Sequence, residues 1–243
     1  MKKYKNILFD LDGTLTDSSE GIIKSAQYAY EKLGIKCPPE ETLFTFIGPP
    51  LGDSFIRNGV PEERREEAVR VYRERYNVVG KYENKPYDGM IPLLKRLKEE
   101  GFHLYVATSK PEKTALDVLE HFDMTKYFDE IAGATMDASR ERKEDVIRYL
   151  HEKIERSDME EDIQSSSPSA TSSGNIKDEP TSVLKPHKTV MIGDTSFDIL
   201  GAAEFDIPTI CVTWGFGDIE QMKKDGAIAI VSTMDELYAS LFE

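Results

Sequence analysis

Six short apolar runs recur along this sequence, and helical patterns separate them. Runs of this kind are typical of buried parallel strands, because a strand that is covered on both faces does not need polar residues at alternate positions. The runs occupy residues 6–9, 103–107, 128–132, 189–192, 209–213 and 227–231. The alternation of strand and helix signals predicts an α/β fold.

The interval between the first and second predicted strands is helical and unusually long. A crossover between parallel strands needs about a dozen residues, and about 70 lie here, which indicates an inserted helical lobe. We therefore predict a discontinuous α/β core, residues 1–15 and 87–243, and a helical cap, residues 16–86.

A second insertion is predicted over residues 156–186. Its centre, from Ser165 to Gly174, consists almost wholly of small and polar residues, and an acidic run precedes it. Such a composition buries too little apolar surface to offset the entropy of ordering, so we expect a flexible segment within the core.

Charge and hydropathy exclude several functions. The chain has 45 acidic and 31 basic residues, a formal net charge of -14, which disfavours nucleic acid and anionic membranes as partners. No apolar stretch approaches the roughly 20 residues of a membrane span, and the first apolar run ends at Asp10, too early for a secretory signal. We expect a soluble, cytoplasmic protein, either a monomer or a homodimer, in which Cys37 and Cys211 are small core residues.

Acidic residues follow two of the predicted strands. Asp10 and Asp12 come directly after the first, and Asp194 and Asp198 come after the fourth. The carboxyl ends of strands are where open α/β sheets bind ligands, and carboxylate oxygens are the ligands that Mg²⁺ prefers. One alternative is an Asp-Gly turn at Gly13. For the second pair, the alternative is that Asp194 caps a helix and Asp198 stabilises the helix dipole from its first turn.

Two further segments carry polar groups suited to an anion. Thr108 and Ser109 lie between the second predicted strand and a helix that Pro111 opens, so their hydroxyls and amides are candidates for binding phosphate. Lys143 is a candidate cation for neutralising charge in the site. Helix capping by Ser109 and a solvated helix face at Lys143 are the alternative interpretations.

In this order, Asp10-x-Asp12-Gly-Thr14, Thr108 or Ser109, Lys143 and Gly193-Asp194-x-x-x-Asp198 resemble the four motifs of the haloacid dehalogenase superfamily. The resemblance covers nearly the whole chain. The position of the helical insert in the sequence is similar to that in the phosphoglycolate phosphatase and 5′-nucleotidase-like branch. This resemblance implies a doubly wound, mostly parallel (Rossmannoid) core with a mobile cap, and a Mg²⁺ cofactor.

The resemblance also implies roles for single residues. Asp10 resembles the nucleophile that forms an aspartyl-phosphate, and Asp12 resembles the acid that protonates the leaving oxygen and then activates water. Thr108 or Ser109, together with Lys143, is expected to bind phosphate. The expected metal ligands are Asp10, Asp12 through its carbonyl, Asp194 and Asp198, the last directly or as a partner of a ligand.

The cap is expected to select the substrate. Gly48, Pro49 and Pro50 occupy the place of a substrate-facing loop in this branch, and Arg57 is a candidate for reading a distal anion; a rigid turn and a solvated arginine are the alternatives. The expected activity is hydrolysis of a small phosphorylated metabolite such as phosphoglycolate, a nucleotide or a sugar phosphate.

Three other functions are compatible with the motifs. A phosphosugar mutase shares them but returns its phosphoryl group to a sugar. A haloacid dehalogenase does not need the acid at Asp12. A non-catalytic phospholigand-binding protein would not need the whole set of acidic and basic motif residues.

Overall fold

The computed structural model describes residues 1–135, 139–140, 142–165 and 188–242. In these residues the strands are β1 (Asn6–Phe9), β2 (Thr16–Asp17), β3 (Lys85–Pro86), β4 (His103–Pro111), β5 (Glu130–Ala134), β6 (Thr189–Gly193), β7 (Thr209–Val212) and β8 (Ala229–Val231). Six of them form one sheet in the order β5-β4-β1-β6-β7-β8, and every neighbouring pair is parallel.

Helices cover both faces of this sheet and form most of the insert. They are α1 (Ser19–Leu33), α2 (Glu40–Leu43), α3 (Leu51–Arg57), α4 (Arg65–Tyr76), α5 (Met90–Glu99), α6 (Glu112–His121), α7 (Lys143–Ser165), α8 (Ser196–Ala203), α9 (Ile219–Asp225) and α10 (Met234–Ser240). In the described part of the chain, no helix is both long and apolar enough to cross a bilayer.

The alternation of β1 explains the two layers of the core. Ile7 and Phe9 point to one face, where they join the apolar cluster formed with α5, α6 and α10. Leu8 points to the other face and joins the cluster formed with α7 and α8. Both faces of the sheet are therefore buried, which is why its strands are continuous apolar runs.

The predicted α/β fold with a parallel sheet is confirmed, and each of the six predicted strands is present. β4 is longer than predicted: its register shifts after Ala107, and Pro111 pairs again with Ala134 of β5. Residues 108–111 are thus part of an irregular strand end rather than of a loop before α6.

The insert after β1 has an apolar core of its own. Side chains between Ile22 and Tyr76, including the fully buried Tyr30 and Phe55, form this separate cluster. The chain enters and leaves the insert through β2 and β3, which pair with each other as antiparallel strands. We refer to residues 16–86 as the cap.

The predicted flexible insertion, residues 156–186, is helical over its first ten residues. Helix α7 continues to Ser165, so residues 156–165 extend a helix whose first turns pack on β4 and β5. The remainder of the predicted insertion lies in residues 166–187, outside the described residues.

Candidate active site

The sheet brings the two acidic motifs together. β1 and β6 are adjacent and in register, with Phe9 opposite Ile192, so Asp10 and Asp194 leave the sheet at the same edge. Asp10, Asp194 and Asp198 each offer one oxygen within 4.8 Å of the other two. All three side chains are buried.

Lys143 is the counter-ion of this cluster. Its Nζ lies 2.8 Å from Oδ1 of Asp10 and 2.8 Å from Oδ1 of Asp198, and it donates to the carbonyl of Ala107 at 2.9 Å. Lys143 is the first residue of α7 and is only 5% exposed, so it does not belong to a solvated helix face.

Burial determines how these groups ionise. Loss of solvation raises the pKa of Asp10 to about 6, although Lys143 acts in the opposite direction. Burial and the neighbouring carboxylates of Asp198 and Asp10 raise the pKa of Asp194 well above its ordinary value. Burial lowers the pKa of Lys143, but the adjacent Asp10 and Asp198 outweigh it and hold that pKa above its ordinary value.

Glycine backbone encloses Asp194. A Cβ at Gly13 or at Gly215 would lie 2.3 Å from Oδ2 of Asp194, so neither position accepts a side chain without displacing the carboxylate. Thr14 donates to Oδ1 at 3.1 Å, and the amide of Phe216 donates to Oδ2 at 2.8 Å. The carboxylate of Asp194 is thus held from two sides.

The cluster has the chemistry of a divalent-cation site. Three carboxylates face one ammonium group, so the ionised cluster carries two negative charges in excess, and charges buried without compensation are strongly unfavourable. Hard carboxylate oxygens are the ligands that Mg²⁺ takes. The residues present therefore fit a Mg²⁺ ion.

Asp198 also stabilises the start of α8. Its Oδ2 accepts from the amide of Thr195 at 3.0 Å and from the hydroxyl of Thr195 at 2.9 Å. The contact with the Thr195 amide belongs to a capping box in which Thr195 is the N-cap. Asp198 therefore lies in the first turn of α8 as the alternative interpretation expected, but the cap is Thr195 and not Asp194.

Asp12 lies outside the acidic cluster. Both oxygens of its carboxylate accept from Nζ of Lys110, each at 2.7 Å, and the Lys110 side chain is 4% exposed. The carboxylate of Asp12 thus pairs with Lys110 instead of joining the acidic cluster, and the metal ligand expected at Asp12, its backbone carbonyl, stays a prediction. No role was predicted for Lys110, although this residue follows Thr108 and Ser109 directly.

Thr108 and Ser109 lie at the same edge, on the irregular end of β4. Thr108 is buried, and its Oγ1 accepts from the amide of Lys110 at 3.2 Å. Ser109 is half-buried. Both line a cavity of about 290 Å³ that Asp10, Asp12 and Lys143 also line.

The cap forms the opposite wall of this cavity. Gly48, Pro49 and Pro50 line it. A Cβ on Gly48 would lie 3.6 Å from Cγ2 of Thr195, so this loop lies against the core. Arg57, the last residue of α3, is exposed and does not line this cavity, so its contact with a distal anion stays a prediction.

Comparison with known proteins identifies the family. The sequence profile of the haloacid dehalogenase-like hydrolases matches residues 7–160, and a second profile of hydrolases of this kind matches residues 168–237. The chain belongs to the haloacid dehalogenase-like hydrolase family. The family and the doubly wound α/β core are those expected from the resemblance.

Individual members of the family cover nearly all of the chain. A 5′-nucleotidase of Pseudomonas aeruginosa is 40% identical over 91% of this chain and 88% of its own length. A tyrosine-protein kinase, PtkA, of Mycobacterium tuberculosis is 35% identical over 97% of this chain and 72% of its own. The crystal structure of a predicted phosphatase from Clostridium acetobutylicum superposes with a TM-score of 0.82 at 40% identity and covers 98% of each chain.

Proposed function

We propose that this hydrolase is a Mg²⁺-dependent phosphomonoesterase that works through an aspartyl-phosphate on Asp10. The observation that carries the proposal is the buried cluster beside the cavity, in which Asp10 adjoins Lys143, Asp194 and Asp198. A carboxylate attacks a phosphate only when the charges of both are screened, and this cluster is built to hold cations.

The steps follow from the residues that line the cavity. Asp10 attacks phosphorus, and the bond from phosphorus to the ester oxygen breaks. Asp12 gives its proton to that oxygen and then takes a proton from the water that hydrolyses the aspartyl-phosphate, which restores Asp10 and releases phosphate. Lys110 fixes the direction of the Asp12 carboxylate.

The remaining groups bind the phosphoryl oxygens. Thr108 or Ser109, with Lys143, supplies donors at the end of β4 and the start of α7. Asp10, Asp194 and Asp198 would hold Mg²⁺, with the carbonyl of Asp12 as a further ligand. When bound, Mg²⁺ neutralises the charge that builds up between the nucleophile and the phosphate.

The substrate is a small phosphate monoester. The cavity of about 290 Å³ lies between cap and core, and clefts of roughly this size suit small molecules. Phosphoglycolate, a nucleoside monophosphate and a sugar phosphate are the candidate substrates, and the nucleotidase among the relatives supports the second of them.

Hydrolysis of p-nitrophenyl phosphate tests the proposal. We expect turnover with Mg²⁺, none after treatment with EDTA, and recovery when Mg²⁺ is added back. A binding protein gives no turnover under any condition. A mutase requires a bisphosphate activator, and a tyrosine kinase transfers the terminal phosphoryl group of ATP to a tyrosine acceptor instead of releasing phosphate.

A further inference from the structure

The segment that follows β7 encloses Asp194 with its backbone. The amide of Phe216 donates to Oδ2 of Asp194 at 2.8 Å. A Cβ at Gly215 would lie 2.3 Å from the same oxygen, and a Cβ at Gly217 would lie 1.9 Å from the carbonyl oxygen of Asp194. Contacts this close leave no free space between the segment and the expected metal ligand, so a shift of one displaces the other.

The side chain of Phe216 packs on the cap. Its half-buried ring joins the apolar cluster of the cap, and every other described member of that cluster lies between Ile22 and Tyr76. Its aromatic partner there is Phe44, with ring centroids 6.2 Å apart and ring planes tilted by 37°. Phe216 is thus a core residue whose amide holds a carboxylate of the metal site and whose ring packs in the cap.

A second contact joins the cap to the same edge of the sheet. A Cβ on Gly48 would lie 3.6 Å from Cγ2 of Thr195 and 3.8 Å from Cδ2 of Phe197. Thr195 donates to the carboxylate of Asp198 from both its amide and its hydroxyl. The cap therefore contacts two segments, one after β6 and one after β7, that hold the carboxylates of the cluster.

The connection between cap and core allows the two to move apart. The cap has its own apolar core and joins the rest of the chain through β2 and β3. Units connected in this way commonly move relative to one another about their hinge segments. A motion that separates Phe44 from Phe216 removes the packing of the Phe216 ring, and its amide is then no longer fixed on Oδ2 of Asp194.

We propose that Phe216 is a positioning residue that couples docking of the cap on the core to binding of Mg²⁺. With the cap docked, the ring is fixed against Phe44 and the amide orients Asp194 for the ion. Coupling between two sites is reciprocal, so bound Mg²⁺ favours the docked cap in return. The inference rests on the proposed Mg²⁺-dependent function, and it makes the metal site tightest when the cap encloses the cavity.

Calorimetric titration of the whole protein with MgCl₂ tests the coupling without substrate or turnover. Phe216→Ala keeps the amide and removes only the ring. We expect it to weaken Mg²⁺ binding by about tenfold, within the range of about 5–150-fold that coupled sites show. Phe216→Tyr keeps the ring contact and should bind Mg²⁺ as the wild type does. Circular dichroism checks that each variant is folded.

Phe44→Ala tests the coupling from the side of the cap. It should weaken Mg²⁺ binding by a few-fold, and it should have no further effect when combined with Phe216→Ala, because both remove one ring contact. Tyr82→Ala is the matched control. Tyr82 is 43% exposed, against 40% for Phe44, and packs on the ring of His121 in α6, which carries none of the three carboxylates. This pair of variants decides the question even if Phe216→Ala does not fold.

Hydrogen exchange measures the coupling in the reverse direction. In residues 44–47 of the cap, the amide of Ile47 donates to the carbonyl of Phe44 at 3.1 Å. Mg²⁺ should slow amide exchange in these residues of the wild type, because it favours the docked cap. It should not slow exchange there in Phe216→Ala. A ring with a purely structural role would not make this protection depend on Mg²⁺.

The outcomes separate this inference from the proposed function. If the wild type binds no Mg²⁺ in the calorimeter, the Mg²⁺-dependent mechanism is wrong and the coupling fails with it. Three results with a wild type that binds Mg²⁺ leave the metal site standing and overturn the role of Phe216. They are unchanged affinity in Phe216→Ala, an effect of Phe44→Ala no larger than that of Tyr82→Ala or independent of Phe216→Ala, and equal Mg²⁺-dependent protection of residues 44–47 in wild type and Phe216→Ala.

Discussion

Lys143 and Asp10 form a buried ion pair, with Nζ 2.8 Å from Oδ1, between residues 133 positions apart in the sequence. Because Lys143 also pairs with Asp198, its removal leaves buried carboxylates without their counter-ion. Removing one partner of a buried pair costs about 3–5 kcal/mol. We expect Lys143→Met to lose that much free energy of unfolding in urea, and to lose activity.

Lys126→Met is the control for that variant, because Lys126 forms an exposed pair with Asp123 and is 53% exposed. Exposed pairs contribute at most about 1 kcal/mol, so its unfolding curve should nearly match that of the wild type. Equal destabilisation by the two substitutions would mean that the buried pair has no special role.

The two aspartates of the first motif should be separately essential. Asp12→Asn should reduce kcat by about 10²–10⁴-fold through loss of proton transfer. Asp10→Asn removes the nucleophile and should reduce kcat by about a thousandfold or more. Circular dichroism checks that each variant is folded, and near-normal kcat in a folded Asp10→Asn protein would exclude the covalent mechanism.

Binding of Mg²⁺ should depend on pH through Asp10. Burial raises the pKa of Asp10 to about 6, so the carboxyl gains a proton as the pH falls through that value. A metal ligand must be ionised, and the raised pKa of Asp194 acts in the same direction, so Mg²⁺ affinity should fall at least about tenfold per pH unit below about 6. The single tryptophan, Trp214, donates to the carbonyl of Thr14 beside the cluster, so its fluorescence is a suitable readout. An affinity that is constant from about pH 8 to 5 would contradict this.

The same shift predicts how stability depends on pH without metal. The pKa of Asp10 is raised in the folded state, so its contribution to stability is fully present below the ordinary value of 3.8 and is lost as the pH rises through about 6. Mg²⁺ should consequently raise the Tm more at about pH 8 than at about pH 5, because only the ionised cluster binds it. Thermal melts with and without EDTA measure both effects.

Gly215 should control metal affinity without contacting the ion. Because a Cβ there would lie 2.3 Å from Oδ2 of Asp194, Gly215→Ala must displace that carboxylate. We expect Mg²⁺ to bind about 10–100-fold more weakly, as when a residue that supports a metal ligand is changed. Gly59→Ala is the control: a side chain there meets no atom within 4 Å, and its φ of +93° should cost stability but not Mg²⁺ affinity.

The sequence predicts the sheet well because buried parallel strands leave a local signal. β1 has the predicted bounds, and β6 differs only by including Gly193. The extension of β4 to Pro111 was missed, since it depends on a register shift against β5 that no local pattern records. The position of the acidic motifs followed from one topological rule, that parallel strands end at a common edge.

The contacts between side chains were less predictable. The pair of Lys110 and Asp12 joins residues 98 positions apart, and neither residue type nor spacing indicates it. Arg57 and Arg73 are both arginines near the end of a cap helix, and the sequence does not show which of them faces the cavity. The packing of α3 and α4 places Arg73, and not Arg57, in the cavity lining. The helical period of Val69, Tyr72, Arg73 and Tyr76 was the available signal for that face.

Chemical trapping of the intermediate tests the central claim most directly. An aspartyl-phosphate is an acyl phosphate, and borohydride reduces it to homoserine at the residue that attacked phosphorus. Protein quenched during turnover, reduced and digested should contain homoserine at position 10, and only when substrate and Mg²⁺ were both present. Two results would contradict Asp10 as the nucleophile. One is homoserine at the position of another aspartate, and the other is the absence of homoserine from an enzyme that turns over normally.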